Sequence, residues 1–165
     1  RPMPSGGWLL AGAALCGGRA YALLADFFAQ TARMMGMDTN APYAAMEGLL
    51  KSADRPEDVP TVLPLFEGTR QDSTQTGSIT GLTAENFTPL HLIYGMMDGM
   101  AHELHQMYQA YRAAGGTAKK LIGSGGGLRN NRFLCESFSR VFDSAIILSD
   151  GREEAACGAA LYAAD

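Results

Sequence analysis

Gly123-Ser124-Gly125-Gly126-Gly127-Leu128-Arg129-Asn130-Asn131 lies between a short apolar run, Lys119 to Ile122, and a segment in which Phe133, Leu134, Phe138, Val141 and Phe142 recur at helical spacing. Four of the five positions from 123 to 127 are glycine. Glycine carries a large backbone-entropy cost, so such a run is expected where the chain needs positive φ or where something must approach the backbone closely. Asn130 and Asn131 stand where the helix begins, and there they can cap free N–H groups. The positive end of the helix dipole favours a phosphate or another anion nearby. The stretch therefore reads as a nucleotide-binding turn, with a purely structural strand-to-helix turn as the alternative.

The residues that follow extend the pattern. Ala145 to Leu148 reads as a second strand, and Asp150 and Glu153 have capping-box spacing before a small-residue helix over 155–164. Strand, helix, strand and helix in so short a span imply a right-handed crossover and a parallel strand pair. Ligands of open α/β sheets bind outside the carboxyl ends of strands, which places the glycine turn at a binding edge.

Toward the N-terminus, Trp8 to Leu15 is apolar and reads as a strand ended by Gly17-Gly18. A helix through Tyr21, Leu24, Phe27, Phe28, Thr31, Met34 and Met35 follows and stops at Gly36. Asp38 to Pro42 reads as a turn and cap, Tyr43 to Leu50 as a second helix, Ala53 to Asp58 as a loop and Thr61 to Phe66 as a short strand. Glu67 to Gly77 is polar and glycine-bearing, so it is expected as an exposed loop. Thr88-Pro89 opens the longest helix, whose apolar line runs from Leu92 and Ile93 through the methionines to Tyr111, and Gly115-Gly116 closes it.

Composition limits the classes of function. A chain of 165 residues is about one domain, 47% hydrophobic and 18% charged, which is globular rather than disordered. No apolar run approaches the length of a membrane span, so the expectation is a soluble protein with no membrane partner. A net charge of −4, with no basic cluster beyond Lys119-Lys120, argues against a nucleic-acid partner. Cys16, Cys135 and Cys157 form no CxxC pair, which favours reduced thiols and a cytoplasmic setting. The first residues, Arg1 to Trp8, carry neither an initiator Met nor a signal-peptide core, and the chain is expected to lie inside a longer polypeptide.

Named motifs narrow the chemistry further. The dinucleotide pattern GxGxxG fits Gly123 and Gly125 but fails at Leu128, and no lysine follows the glycines as a P-loop requires. His102-Glu103-Leu104-His105 resembles the zinc motif HExxH, but Gln106 stands in place of the second histidine. No metal ligand is assigned. Cys16 reads as a small buried thiol rather than a nucleophile, Glu153-Glu154 as helix-dipole and cap carboxylates, and the methionine line as core. Neither Asp72 nor Asp98 sits in a motif that would make it a catalyst.

Three segments, in order, resemble the later part of the C-terminal domain of FGGY carbohydrate kinases, most of all sedoheptulokinase-like members. They are Ala14 to Tyr21 with its helix, Pro64 to Arg70 leading to Gly77 to Leu82, and Gly123 to Asn131 leading to Arg152 to Leu161. Together they span nearly the whole chain. The resemblance implies an α/β fold, the ribonuclease-H-like domain of the actin-like ATPase superfamily, present here as an incomplete domain over residues 1–165. It implies an ATP or ADP site in which Gly125, Gly126 and Gly127 receive the adenosine and α-phosphate side and Asn130 or Asn131 contacts base or ribose. The other wall would come from Gly17, Gly18 and Tyr21, with Ala22 beside them. Glycines without Cβ let a flat purine lie on the backbone, in agreement with this placement.

The implied reaction is transfer of the ATP γ-phosphoryl group to a sugar hydroxyl with Mg²⁺, a step governed by positioning and charge stabilisation. In such kinases the aspartate base, most sugar contacts and the phosphate-binding hairpin lie upstream, so this chain alone is expected to be inactive and to need the rest of its polypeptide, which also holds most of the Mg²⁺. A ketose such as sedoheptulose is the expected substrate, and a homodimer is compatible with the family. The loop Gly68-Thr69-Arg70-Gln71-Asp72 departs from the family's Gly-Glu-Arg-Thr-Pro, which loosens any inference about the sugar. Two rivals stand beside this reading: a non-catalytic nucleotide-binding or scaffolding member of the same superfamily, and an unrelated α/β interaction domain.

Overall fold

The computed structural model describes residues 6–37, 40–151 and 153–163. The expectations for Arg1 to Ser5, Asp38, Thr39, Arg152 and Ala164 lie outside them. In chain order the elements are α1 (Gly18–Met34), α2 (Pro42–Ser52), β1 (Thr61–Leu63), β2 (Ser78–Thr80), α3 (Pro89–Ala113), β3 (Leu121–Gly123), α4 (Gly126–Asn130), α5 (Arg132–Val141), β4 (Ile146–Leu148) and α6 (Glu154–Ala163).

Helix α3 is the hub, and its sequence explains why. Every residue from Leu92 to Ala101 is buried, so this stretch is covered all round, as an apolar helix inside a domain must be. α1, α2, α5 and β1 pack around it. The strand β1 comes close because the facing helix positions are glycine. A Cβ at Gly95 would stand 2.8 Å from the Pro60 carbonyl oxygen, and one at Gly99 would run into that of Val62. Met96 and Met100 fill the core, as read from the sequence, and Met97, outside the apolar line read there, is fully buried with them. Thr88 caps the helix by accepting from the His91 N–H, and the His91 ring bridges Thr88 Oγ1 at 2.7 Å and Asp58 Oδ1 at 3.1 Å.

Asp98 is the one acid among the buried polar residues of the described chain, and two arginines hold it. The Arg55 guanidinium forks onto both carboxylate oxygens, with Nη1 to Oδ1 at 3.3 Å, and Arg140 of α5 pairs with Oδ1. Arg55 also lies over the Tyr94 ring, 4.8 Å from its centroid. The sequence offered no role for Asp98. Its role is to tie α5 and the loop before β1 to the central helix.

The strands form two small sheets. β3 and β4 are parallel, with Ile122 opposite Ile147, and α4 and α5 make the connection, as expected. β1 pairs antiparallel with β2, a strand that three residues of mixed polarity did not announce. Two further expectations need correction. Trp8 to Leu15 forms no strand beyond an isolated bridge at Trp8, and Trp8 is 77% exposed, because among the described residues no neighbouring strand offers a ladder. The strand expected to reach Phe66 ends at Leu63, where Pro64 removes a donor. At the other end, Asp150 and Glu153 make no capping box. The Glu153 carbonyl accepts from Cys157 N–H at 2.8 Å, which puts Glu153 at the N-cap itself rather than three residues inside the helix.

Candidate functional site

The glycine turn begins at the carboxyl end of β3. Gly123 closes the strand, its carbonyl accepts from Ser149 N–H just beyond β4, and a Cβ there would stand 2.7 Å from Ile146. Packing explains Gly123. Gly125 has φ 97 and ψ 156 and precedes α4 with no side-chain cap, so backbone conformation explains Gly125.

Gly126 and Gly127 have neither reason. They are helical, without positive φ, and a Cβ at either would make only ordinary contacts, 3.8 Å to Asn130 Nδ2 and 3.7 Å to Leu134. A glycine in a helix costs about 0.5–1 kcal/mol relative to alanine. Neither packing nor φ in the described residues accounts for that cost. The turn thus differs from its sequence-based description in one respect: positions 126–130 are a short helix, and the second helix starts afresh at Arg132.

Opposite this turn stands the start of α1. Gly17 has φ 45 and ψ −130, a conformation reserved for glycine, and it leaves the helix end without a side-chain cap. Gly18 follows with nothing within 4 Å of a built Cβ. Between the two starts lies a pocket of about 230 Å³, bordered by Gly17, Gly18, Ser124, Gly127 and Glu103, with Ala14, Met100, Leu104, Leu128, Leu134 and Phe138 as apolar walls. Gly17-Gly18 and Gly127, which are more than 100 residues apart in sequence, therefore border one pocket. Gly125 and Gly126 are exposed beside them, and Asn130 is exposed, with no side-chain hydrogen bond among the described residues.

Tyr21 and Asn131 are placed differently. Asn131 caps α5 by accepting from Leu134 N–H at 3.1 Å, and its amide stands 3.9 Å from Met97 Sδ. Tyr21 stacks on Tyr43 at 6.2 Å between ring centroids. Burial pushes its phenol up, and the neighbouring Asn131 side chain pulls the other way. Both side chains serve α1, α2 and α5 packing, and neither borders the pocket.

Glu103 is the polar wall that sequence reasoning missed. It was met only as part of an imperfect zinc motif. Here it is half-buried at the pocket floor, and burial pushes its carboxyl above the ordinary value of 4.5. Among the described residues no group of three or more His, Cys, Asp or Glu is arranged to hold a metal ion. The His105 ring packs edge-on against Phe142 at 4.9 Å. Cys16 is buried, and burial raises its thiol above the usual value, the opposite of an activated nucleophile. Glu154 opens α6 and pairs with Arg129; backbone N–H donation at its own position, helped by Ser149 and Arg129, holds its carboxyl low.

The family model for the C-terminal domain of the FGGY family of carbohydrate kinases matches residues 2–164. The chain belongs to this family. The xylulose kinase of Bacillus subtilis (strain 168) is 28% identical over 93 residues, covering 56% of this chain and 18% of the longer protein. The xylulose kinase structure from Rhodospirillum rubrum superposes with a TM-score of 0.66 at 24% identity, over 79% of this chain and 25% of that one. Gluconate kinase from Lactobacillus acidophilus gives 0.59 at 18% identity, over 82% of this chain and 26% of that one. Plasmodium falciparum glycerol kinase with ADP gives 0.57 at 19% identity, over 83% of this chain and 27% of that one. The FGGY domain found here thus has the mixed α/β fold of sugar-kinase C-terminal domains, and it spans under two thirds of every one of these relatives. Among the described residues no helix is long and apolar enough to cross a membrane.

Proposed function

We propose that this chain supplies the adenosine side of the ATP site in a carbohydrate kinase that transfers the γ-phosphoryl group to a sugar hydroxyl. The observation that carries the reading is the pair Gly126 and Gly127, helical glycines that neither backbone geometry nor packing requires; Gly127 is on the wall of a pocket whose other wall is Gly17 and Gly18, and Gly126 is exposed beside it. A pocket of about 230 Å³ is smaller than the usual range for a complete ligand, about 300–1,000 Å³, so it suits the nucleoside end with the phosphates projecting outward. The uncapped N-terminus of α1 favours the negative charge of those phosphates. The apolar walls suit a purine face, and Asn130 is free to reach base or ribose.

Gly17, Gly18, Gly125, Gly126, Gly127 and Asn130 are the residues of this site in our reading, with Tyr21 and Asn131 supporting it from behind. The ribonuclease-H-like assignment of the fold belongs to the same reading. Glu103 is the one carboxylate on the pocket, so Mg²⁺ is assigned to phosphate oxygens and to parts of the relatives that this chain does not match. The catalytic aspartate base and the sugar contacts are assigned there too. Domain closure would then bring the γ-phosphate and the sugar into line, which is where such enzymes gain most of their rate. The relatives are named for xylulose, gluconate and glycerol. They lend no support to sedoheptulose, and a ketopentose heads the list of substrates to try.

Calorimetric titration of the complete polypeptide with ADP, followed by a coupled ADP-release assay over a panel of ketoses, aldonates and polyols, tests the proposal. ADP binding and sugar-dependent turnover are expected, with no turnover from residues 1–165 alone. Failure of ADP to bind overturns the nucleotide reading, and turnover by the 165-residue chain overturns the assignment of the chemistry elsewhere.

A further inference from the structure

Glu103 projects from the middle of the central helix to a place where three cavities meet. It borders the candidate nucleotide pocket, a cavity of about 410 Å³ under the loop containing Thr69, Arg70, Gln71 and Gln75, and a third beside His102 and Asp98. Its acceptor capacity is unused. Among the described residues it has no hydrogen-bond or ion-pair partner, although Asp98, five residues earlier on the same helix, is held by two arginines. The side chain is half-buried, so its carboxyl is held at the meeting of these cavities and is open to a donor that enters them. Partial burial raises its proton affinity.

Resting on the nucleotide reading above, we propose that Glu103 is a specificity-determining residue of the pocket: it accepts a hydrogen bond from a donor on the nucleoside, a ribose hydroxyl or the base amino group. Three features of the lining point this way. Glu103 is the single acid among residues that are otherwise glycine, alanine, serine or apolar, so a ligand donor has one strong acceptor to find. A carboxylate repels phosphate, which turns the phosphates toward the glycine backbone and the α1 N-terminus and the nucleoside toward Glu103. The buried walls Met100 and Phe138 keep water from one side of the contact and so strengthen it.

The test is calorimetric titration of the complete polypeptide and its Glu103→Ala, Glu103→Gln and Glu103→Asp variants with ADP, 2′-deoxy-ADP, 3′-deoxy-ADP, IDP and pyrophosphate. The wild type is expected to bind at least one of the three altered nucleotides about fivefold or more weakly than ADP, the effect of losing one charge-assisted hydrogen bond. Glu103→Ala should lose about as much affinity for ADP and show no remaining discrimination, while its pyrophosphate binding is unchanged or tighter. Glu103→Gln, which keeps an acceptor oxygen at the same reach, should retain most of the affinity. Where Glu103→Ala no longer melts cooperatively, Glu103→Asp decides, because its shorter carboxylate should show the same loss. ADP binding and analogue preference that survive both Glu103→Ala and Glu103→Asp overturn this inference alone. A loss shared equally by ADP and pyrophosphate also overturns it, because that marks a structural role. A wild type that binds no ADP overturns the nucleotide reading and this inference with it.

Discussion

Replacing Gly126 and Gly127 with alanine should make the protein more stable and a poorer nucleotide binder. The two signs have one cause. Both positions are helical with open space, the nearest atoms to a built Cβ being Asn130 Nδ2 at 3.8 Å and Leu134 Cδ2 at 3.7 Å. Alanine exceeds glycine by about 1 kcal/mol in a helix interior; in the first turn of the short α4 about half of that is expected at each position. The pair should therefore gain about 1 kcal/mol, or about 2–4 °C in melting temperature for a domain of this size. On the ligand side, the methyl group at 127 stands on the wall of a pocket of about 230 Å³ and the one at 126 on the exposed backbone beside it, and in the nucleotide reading the two hold the nucleoside off the turn. A loss of tenfold or more in ADP affinity is expected, equivalent to about 1.4 kcal/mol. Thermal melting without nucleotide, paired with calorimetric titration, reads both. Destabilised variants would show that the fold itself needs these glycines, and unchanged ADP affinity would show that no ligand approaches them.

Other expectations follow from the same structure. Asp98→Asn should cost about 2–3 kcal/mol in urea unfolding, below the about 3–5 kcal/mol of a fully buried pair because Arg140 is 46% exposed. A double-mutant cycle with Arg55→Met should show coupling of about 1 kcal/mol or more, and simple additivity would refute the clamp. Gly99→Ala should cost about 1–3 kcal/mol by pushing β1 from α3, whereas Gly48→Ala, which meets nothing within 4 Å in α2, should gain about 0.5–1 kcal/mol. Asn131→Ala should lose about 1 kcal/mol of stability with the α5 cap, as equilibrium unfolding would report, and Asn130→Ala should leave stability in place while weakening ADP. Glu103→Gln carries a pH signature. The folded carboxyl binds its proton more tightly than the ordinary value of 4.5, so the contribution of Glu103 to stability is fully present below that pH and is lost as pH rises through the folded value. The melting temperature of Glu103→Gln relative to wild type should thus rise from pH 4 to pH 7, and a flat difference would refute the shift.

Local pattern was enough for the helices and for the parallel pair around the glycine turn. Apolar spacing, Thr88-Pro89 and Gly36 act within a few residues, so α1, α2, α3 and α5 are legible without any knowledge of contacts. Strand reading failed where pairing decides: Trp8 to Leu15 has the composition of a strand but no ladder partner among the described residues, and Ser78–Thr80 becomes one because β1 lies beside it. The order of Gly17-Gly18, the loop after Pro64 and Gly123 to Asn131 carried the resemblance to the family that the family model over residues 2–164 bears out.

What only the tertiary structure decided is which residues of that pattern face the pocket between α1 and the glycine turn. Asn130 and Asn131 look alike in sequence, yet one is exposed and the other is spent on a helix cap and the Tyr21 contact. Gly123, Gly125 and Gly127 look alike, yet packing explains the first, φ the second and neither the third. Glu103 and Asp98 are two acids of one helix; rotation about its axis gives one to a pair of arginines and the other, unpartnered, to the pocket. Sequence fixes which groups are available and at what spacing, but burial and the identity of neighbours come from elements far apart in the chain, and those determine what each group can do.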